Sequence, residues 1–192
     1  MVNTFVTNGY LTSEAVDISS KYIQAMTIGI KGSLNKKLYS RLMLVPNPDS
    51  IKDTILELKR KKVHIEITDL IIPEFGYKIS DIKRFLKWIN DNLGSDVPIH
   101  FTRFHPDWKL KDIPATSITI LEKAHKIAKE EGLRYVYVGN VMGHPLENTY
   151  CPDCNEILIE RQGFIIKKWN IINRSCPRCG SKIFYVDSKN IN

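Results

Sequence analysis

Outside two short pairs, Cys151-Pro152-Asp153-Cys154 and Cys176-Pro177-Arg178-Cys179, this sequence of 192 residues has no cysteine. No thiol is left over to act as a nucleophile or to hold an iron-sulfur cluster elsewhere. The sequence also has no Walker or dinucleotide-binding glycine pattern, and no serine stands in a nucleophile-elbow sequence, so nucleotide-kinase and hydrolase readings rank low. No apolar run approaches membrane-spanning length. The start, Met1-Val2-Asn3-Thr4-Phe5-Val6, has neither the basic flank nor the apolar stretch of a signal peptide, so a location in the reducing cytoplasm, with no membrane partner, is expected. Low-complexity segments and internal repeats are absent as well.

What is present begins with those cysteines. Two C-x2-C pairs separated by 21 residues form the layout of a four-thiolate site, because two tight turns can each offer two sulfurs to one tetrahedral ion. A proline follows the first cysteine of each pair and presets φ, while Asn155 and Gly180, after the second cysteines, tolerate a left-handed conformation. Cys151, Cys154, Cys176 and Cys179 are therefore expected to hold a structural zinc ion in a ribbon. Iron on the same sulfurs and a pair of redox-active dithiols are the rival readings. Chelation is expected to unfold residues 149 to 187, where the segment is too short to build its own core.

The net charge is +7 and the pI about 9.2, which permits a nucleic-acid partner without favouring one. The densest basic cluster, Lys59 to Lys62, ends a predicted helix and reads as a solvated face complementing the helix dipole. Phe164, Trp169 and Tyr185 could stack on bases, but packing within a small core is the expected role.

Over the first 138 residues strands and helices alternate. Strands are predicted at 4–7, 25–30, 63–72, 99–104 and 135–138. Between them run helices at 12–22 (Ala15, Ile18 and Tyr22 on one face), from Ser50 (a capping box with Asp53), at 80–93 and at 116–131. This pattern predicts an α/β fold with a parallel sheet or barrel, whose ligands lie just past the strand ends. Thr7-Asn8-Gly9, Lys31, Pro73-Glu74, His105 and Gly139-Asn140 occupy those positions. Lys31 could meet an anionic ligand and His105 could donate a hydrogen bond or act as a base near neutral pH. A closed barrel needs more than these five strands, so either the sheet is open or something else covers its first edge.

Val6-Thr7-Asn8-Gly9-Tyr10-Leu11-Thr12, Leu70-Ile71-Ile72-Pro73, His100 to Asp107, Tyr135 to Val141 and Glu147 to Pro152 resemble consecutive blocks of one family. It is the radical SAM enzymes of the AmmeMemoRadiSam system, which are similar to pyruvate formate-lyase activating enzymes. The resemblance runs over essentially the whole chain. It implies a partial β/α (TIM-like) barrel at residues 1–146 and a four-cysteine ribbon at 147–192. It further implies a [4Fe-4S] cluster that binds S-adenosylmethionine and cleaves it to a 5′-deoxyadenosyl radical, with Thr7, Asn8, Gly9, Lys31 and His105 around the S-adenosylmethionine.

Two departures from the family stand out. The C-x3-C-x2-C cluster motif is missing, and Gly29 replaces the acidic residue that usually stands two before the strand-end lysine. The chain is therefore expected to correspond to the C-terminal part of such an enzyme, inactive alone. A partner polypeptide or a missing N-terminal segment would supply the cluster half by pairing with the first strand, unless the chain is a degenerate relative without radical chemistry. The competing function is a non-catalytic zinc-ribbon module that binds nucleic acid or protein. The resemblance names no substrate.

Overall fold

The computed structural model describes residues 2–75 and 77–185. Its first layer is built from β1 (Thr4–Thr7), β2 (Ala25–Lys31), β3 (His64–Ile71), β4 (Ile99–Arg103) and β5 (Val136–Gly139). These strands are parallel and lie in the order of the sequence. A sheet whose strand order never reverses keeps its crossovers on one side, which is barrel-type winding rather than the doubly wound kind.

Side-chain alternation explains which face is which. Met26, Ile28 and Ile30 of β2, Ile65, Ile67 and Ile71 of β3, and Ile99 and Phe101 of β4 are buried. They lie in one core with helices α3 (Ser50–Arg60), α4 (Ile79–Leu93) and α5 (Ile118–Glu130). Burying each of these side chains fully contributes about 1.5–3 kcal/mol. The residues between them, including His64, Glu66, Thr68, His100, Thr102 and Tyr137, point to the opposite face and are only partly covered. That second face is the inner wall of the open barrel.

The clearest periodicity is kept in α4, where Ile82, Phe85, Leu86, Ile89 and Leu93 are all buried. The first helix departs from expectation. α1 spans only Ser13–Ser19 and buries Val16, whereas Ile18 and Tyr22 are 61% and 66% exposed. It packs against α3, with Val16 as its buried residue and Ile18 turned to solvent. The expected capping box of α3 does not form either. Asp49 takes the N-cap position with no side-chain capping bond, and Ser50 is the first helical residue, its hydroxyl donating to the carbonyl of Asn47. Between β2 and α3 the chain makes a tight turn at Gly32–Leu34, the short α2 (Lys36–Leu38) and one wide turn at Tyr39–Met43.

After β5, β6 (Thr149–Tyr150), β7 (Ile157–Gln162) and β8 (Ile165–Trp169) form an antiparallel sheet. Leu158, Ile159, Ile171 and Ile183 make a small second core with Cys151, Cys176 and Tyr135. Tyr135, just before β5, ties the two parts together by accepting a hydrogen bond from the Phe184 amide at 3.0 Å. Residues 186–192 of the expected ribbon segment lie outside the described residues.

Candidate functional site

Three groups of side chains concentrate chemistry: the cysteine tetrad, the rim at the C-terminal ends of the strands, and a polar cluster on the inner wall.

The two cysteine turns repeat one geometry. The Cys151 amide donates to the Glu156 carbonyl at 2.8 Å and the Asn155 amide to the Cys151 carbonyl at 3.0 Å. In the second turn the Cys176 amide donates to Ser181 and the Gly180 amide to Cys176, both at 2.9 Å. Asn155 and Gly180 take φ of 60° and 77°, the left-handed backbone that their residue types anticipate. The result brings all four Sγ atoms within 4.8 Å of one another, with Cys151 and Cys179 at 3.6 Å and Cys154 and Cys176 at 3.6 Å. Sulfurs bound tetrahedrally at about 2.3 Å from zinc stand about 3.8 Å apart, so this donor set is suited to a tetrathiolate ion. Hydrogen bonds from Ser181 pull the Cys179 thiol down to about 6. The Glu156 amide pulls at Cys154 too, but burial and the neighbouring sulfurs push that thiol up to about 12. Four crowded thiols cannot all ionise without a cation, and a metal ion supplies that charge.

At the rim, Thr7 and Asn8 organise their own turn. The Thr7 hydroxyl accepts from the Gly9 amide at 3.1 Å and Asn8 Oδ1 from the Tyr10 amide at 3.0 Å. Gly9 is buried with φ of 74°, and a Cβ there would lie 2.8 Å from Ile28 and 2.9 Å from Ile51. Glycine thus serves both backbone conformation and close packing. Lys31 ends β2 and folds its Nζ back to the carbonyl of Gly29 at 3.0 Å. Burial lowers its pKa, and the charge of Asp69 opposes that shift.

A side chain at position 29 would start 3.6 Å from the Lys31 Nζ and 3.6 Å from the Thr7 carbonyl. Thr7 and Lys31 therefore border the same spot, where the expected carboxylate is missing. Asp69 is buried and accepts from the Ser33 amide at 3.0 Å and its hydroxyl at 2.7 Å. This bond holds Ser33 in a left-handed conformation, φ 52°, in the turn just past Lys31. His105 lies two residues past β4 and is exposed, on the same edge but two strands from Lys31. Asn140, after β5, donates to the Arg103 carbonyl at 3.1 Å and so closes the neighbouring loop.

The inner wall carries residues that the sequence reading overlooked. Glu66 accepts at one carboxylate oxygen from His100 (3.1 Å) and faces His64 at the other (3.4 Å). Burial works against its charge, but hydrogen bonds and charge from the two histidines hold the carboxyl below the usual range. His100 stacks on Tyr137 with centroids 4.7 Å apart, the Tyr137 hydroxyl meets that of Thr149 at 3.1 Å, and Arg161 donates to Thr149 at 2.7 Å. The signal was available: polar residues at every second position of parallel strands mark a face that is not simply core.

A one-way, five-stranded β/α layer with a tetrathiolate ribbon defines an α/β protein of partial-barrel type that carries a potential metal centre. No known family's sequence profile matches the chain. Its fold is shared with a domain of a pyruvate-formate lyase-activating enzyme from Bacteroides vulgatus, at a TM-score of 0.60 and 18% identity, covering 71% of this chain and 80% of that one. A radical SAM methyltransferase from Sphaerobacter thermophilus is similar at a TM-score of 0.55 and 12% identity, covering 70% of this chain and 39% of that one. In sequence, the chain is 41% identical over 185 residues to an uncharacterised protein of Methanocaldococcus jannaschii. The match takes in 95% of this chain and 54% of that protein, so the chain spans about half the length of this relative.

Proposed function

We propose that the chain is the C-terminal, S-adenosylmethionine-contacting part of a radical SAM enzyme of the AmmeMemoRadiSam type. The observation that carries the reading is the position of Lys31 and Thr7 around one spot at the C-terminal edge of a one-way parallel sheet. That is where such folds place their ligands. In this reading Lys31 offers a charge to the ligand's carboxylate, the Thr7-Asn8-Gly9 turn brings backbone close to it, and His105 donates a hydrogen bond to its ribose. When bound, the cluster and S-adenosylmethionine would supply one-electron chemistry that makes a 5′-deoxyadenosyl radical.

The residues of this chain do not fit the cluster itself. Its four cysteines converge on a single ribbon centre, and three further thiolates are needed. We place those thiolates on a partner polypeptide or on sequence outside these 192 residues, paired to the edge of β1 that no strand among the described residues occupies. Residues 1–146 then form the barrel portion and 147–192 the zinc ribbon, working in a reducing cytoplasm. No helix among the described residues is long and apolar enough to cross a membrane.

Co-expression with a segment bearing C-x3-C-x2-C tests the assignment. A co-purifying brown complex with a reducible cluster is expected, and a colourless chain that never associates with such a segment counts against it. A second reading, a nucleic-acid-binding ribbon, draws on Phe164. Contrary to the packing role expected of it, Phe164 is fully exposed beside the exposed Lys167 and Lys168. Oligonucleotide binding by the full chain that weakens steeply with salt would favour this alternative.

A further inference from the structure

A cleft of about 880 Å³ lies between the inner wall of the sheet and the ribbon; of the strand-end positions it takes in Gly139 and Asn140 but not Thr7, Lys31 or His105. Its floor is Glu66 between His64 and His100. Phe164 and Met142, fully exposed and 80% exposed, stand at its mouth with Trp169 on the ribbon wall. Apolar walls around a few fixed polar groups are the usual composition of a small-ligand site.

The charges of the lining select the ligand. The lining holds two carboxylates, Glu66 and Glu147, one guanidinium, that of Arg161, and the imidazoles of His64 and His100. The imidazoles oppose a cation only when protonated, so binding is measured at about pH 8. Glu147 is engaged by the amides of Gly143 and Gly163. Arg161 Nη1 donates to Thr149 and to the Glu147 carbonyl. Glu66 has no such backbone commitment. Its carboxylate offers about four lone-pair sites and the histidines take two, while its side chain keeps 38% exposure. An ionised acceptor with open capacity, under aromatic walls, complements a cation with N–H donors on a flat ring.

We propose that this cleft binds a planar aromatic ligand bearing a cationic N–H donor group, with Glu66 as its anionic anchor and the aromatic side chains of the lining as its stacking walls. The inference goes beyond the rim reading and does not rest on it. Benzamidine, benzamide and benzoate share a ring and differ in charge, which makes them the probes. Titration calorimetry on the full chain, purified without chelator, is expected to show benzamidine binding about 10-fold or more tighter than benzoate, with benzamide between them.

Glu66→Gln removes the charge and is expected to weaken benzamidine by about 10-fold while leaving benzamide within about 2-fold. Phe164→Ala, at a fully exposed lining position, is expected to weaken both ligands, which keeps the idea testable if the Glu66 variant does not fold. Lys31→Met should leave benzamidine binding unchanged, which separates this site from the rim. Equal binding of benzoate and benzamidine, no benzamidine binding by the folded wild-type chain, or indifference to both cleft substitutions would overturn the proposal.

Discussion

Gly9 shows how one residue can be legible in sequence for the right reason and still carry more than was read. A turn former was expected after the first strand, and the turn is there, but the missing side chain also lets Ile28 and Ile51 close over it. Gly9→Ala combines a left-handed backbone with a collision, so a loss of roughly 2–4 kcal/mol is expected in urea denaturation. A change below about 0.5 kcal/mol would contradict the packing described. Glu66 is the opposite case. It sat in plain view between isoleucines, and it escaped notice because the alternation of β3 was read for its apolar half alone.

The lowered pKa of Glu66 has a pH consequence. A carboxylate depressed in the folded state contributes stability above its unfolded value of 4.5, and that contribution fades as pH falls below it. The stability gap between wild type and Glu66→Gln should therefore shrink as pH falls from about 4.5 to about 3. Urea midpoints measured across that range check this. A gap that widened on acidification would reverse the sign.

Among the elements, helix α4 and the cysteine turns were readable because local signals and tertiary surroundings agree. A stripe of five apolar residues found a sheet to cover it, and each left-handed position held an Asn or a Gly. Helix α1 was misread because Ile18 and Tyr22 are exposed while Val16 is the residue buried, and no local pattern reports which side a neighbour will cover. The ribbon leans on its tetrad, since its core contains few large side chains. A chelator is expected to abolish amide protection across β6, β7 and β8 while β2, β3 and β4 keep theirs, as hydrogen exchange can show. A metal contribution of order 10 kcal/mol makes this loss nearly complete. Retained protection in β7 would refute the structural role.

The turn that follows β2 depends on a single buried acceptor. Asp69→Ala leaves the Ser33 amide and hydroxyl without their partner, and a loss of roughly 2–3 kcal/mol is expected. Displacement of Lys31 should accompany it. The sequence gives no hint of this link, because Asp69 stands at a core-facing position of β3 where an isoleucine would fit the pattern.

At the scale of the whole molecule, the sheet has an unpaired outer edge at β1 among the described residues, and its sulfurs are gathered in the ribbon. The α/β class was foreseeable from strict alternation of elements, whereas alternation alone left a parallel sheet and a barrel both open. The cleft beside the ribbon was not, because it forms only when β7 and β8 come to lie opposite residues about a hundred positions earlier. The central proposal is that this chain contributes its rim to reductive cleavage of S-adenosylmethionine. The direct measurement is 5′-deoxyadenosine formed under anaerobic reducing conditions by the chain assembled with a segment carrying C-x3-C-x2-C. The account predicts turnover that falls about 10-fold or more in Lys31→Met with the cluster still loaded. A loaded, folded assembly that forms no 5′-deoxyadenosine, or one indifferent to Lys31→Met, would contradict it.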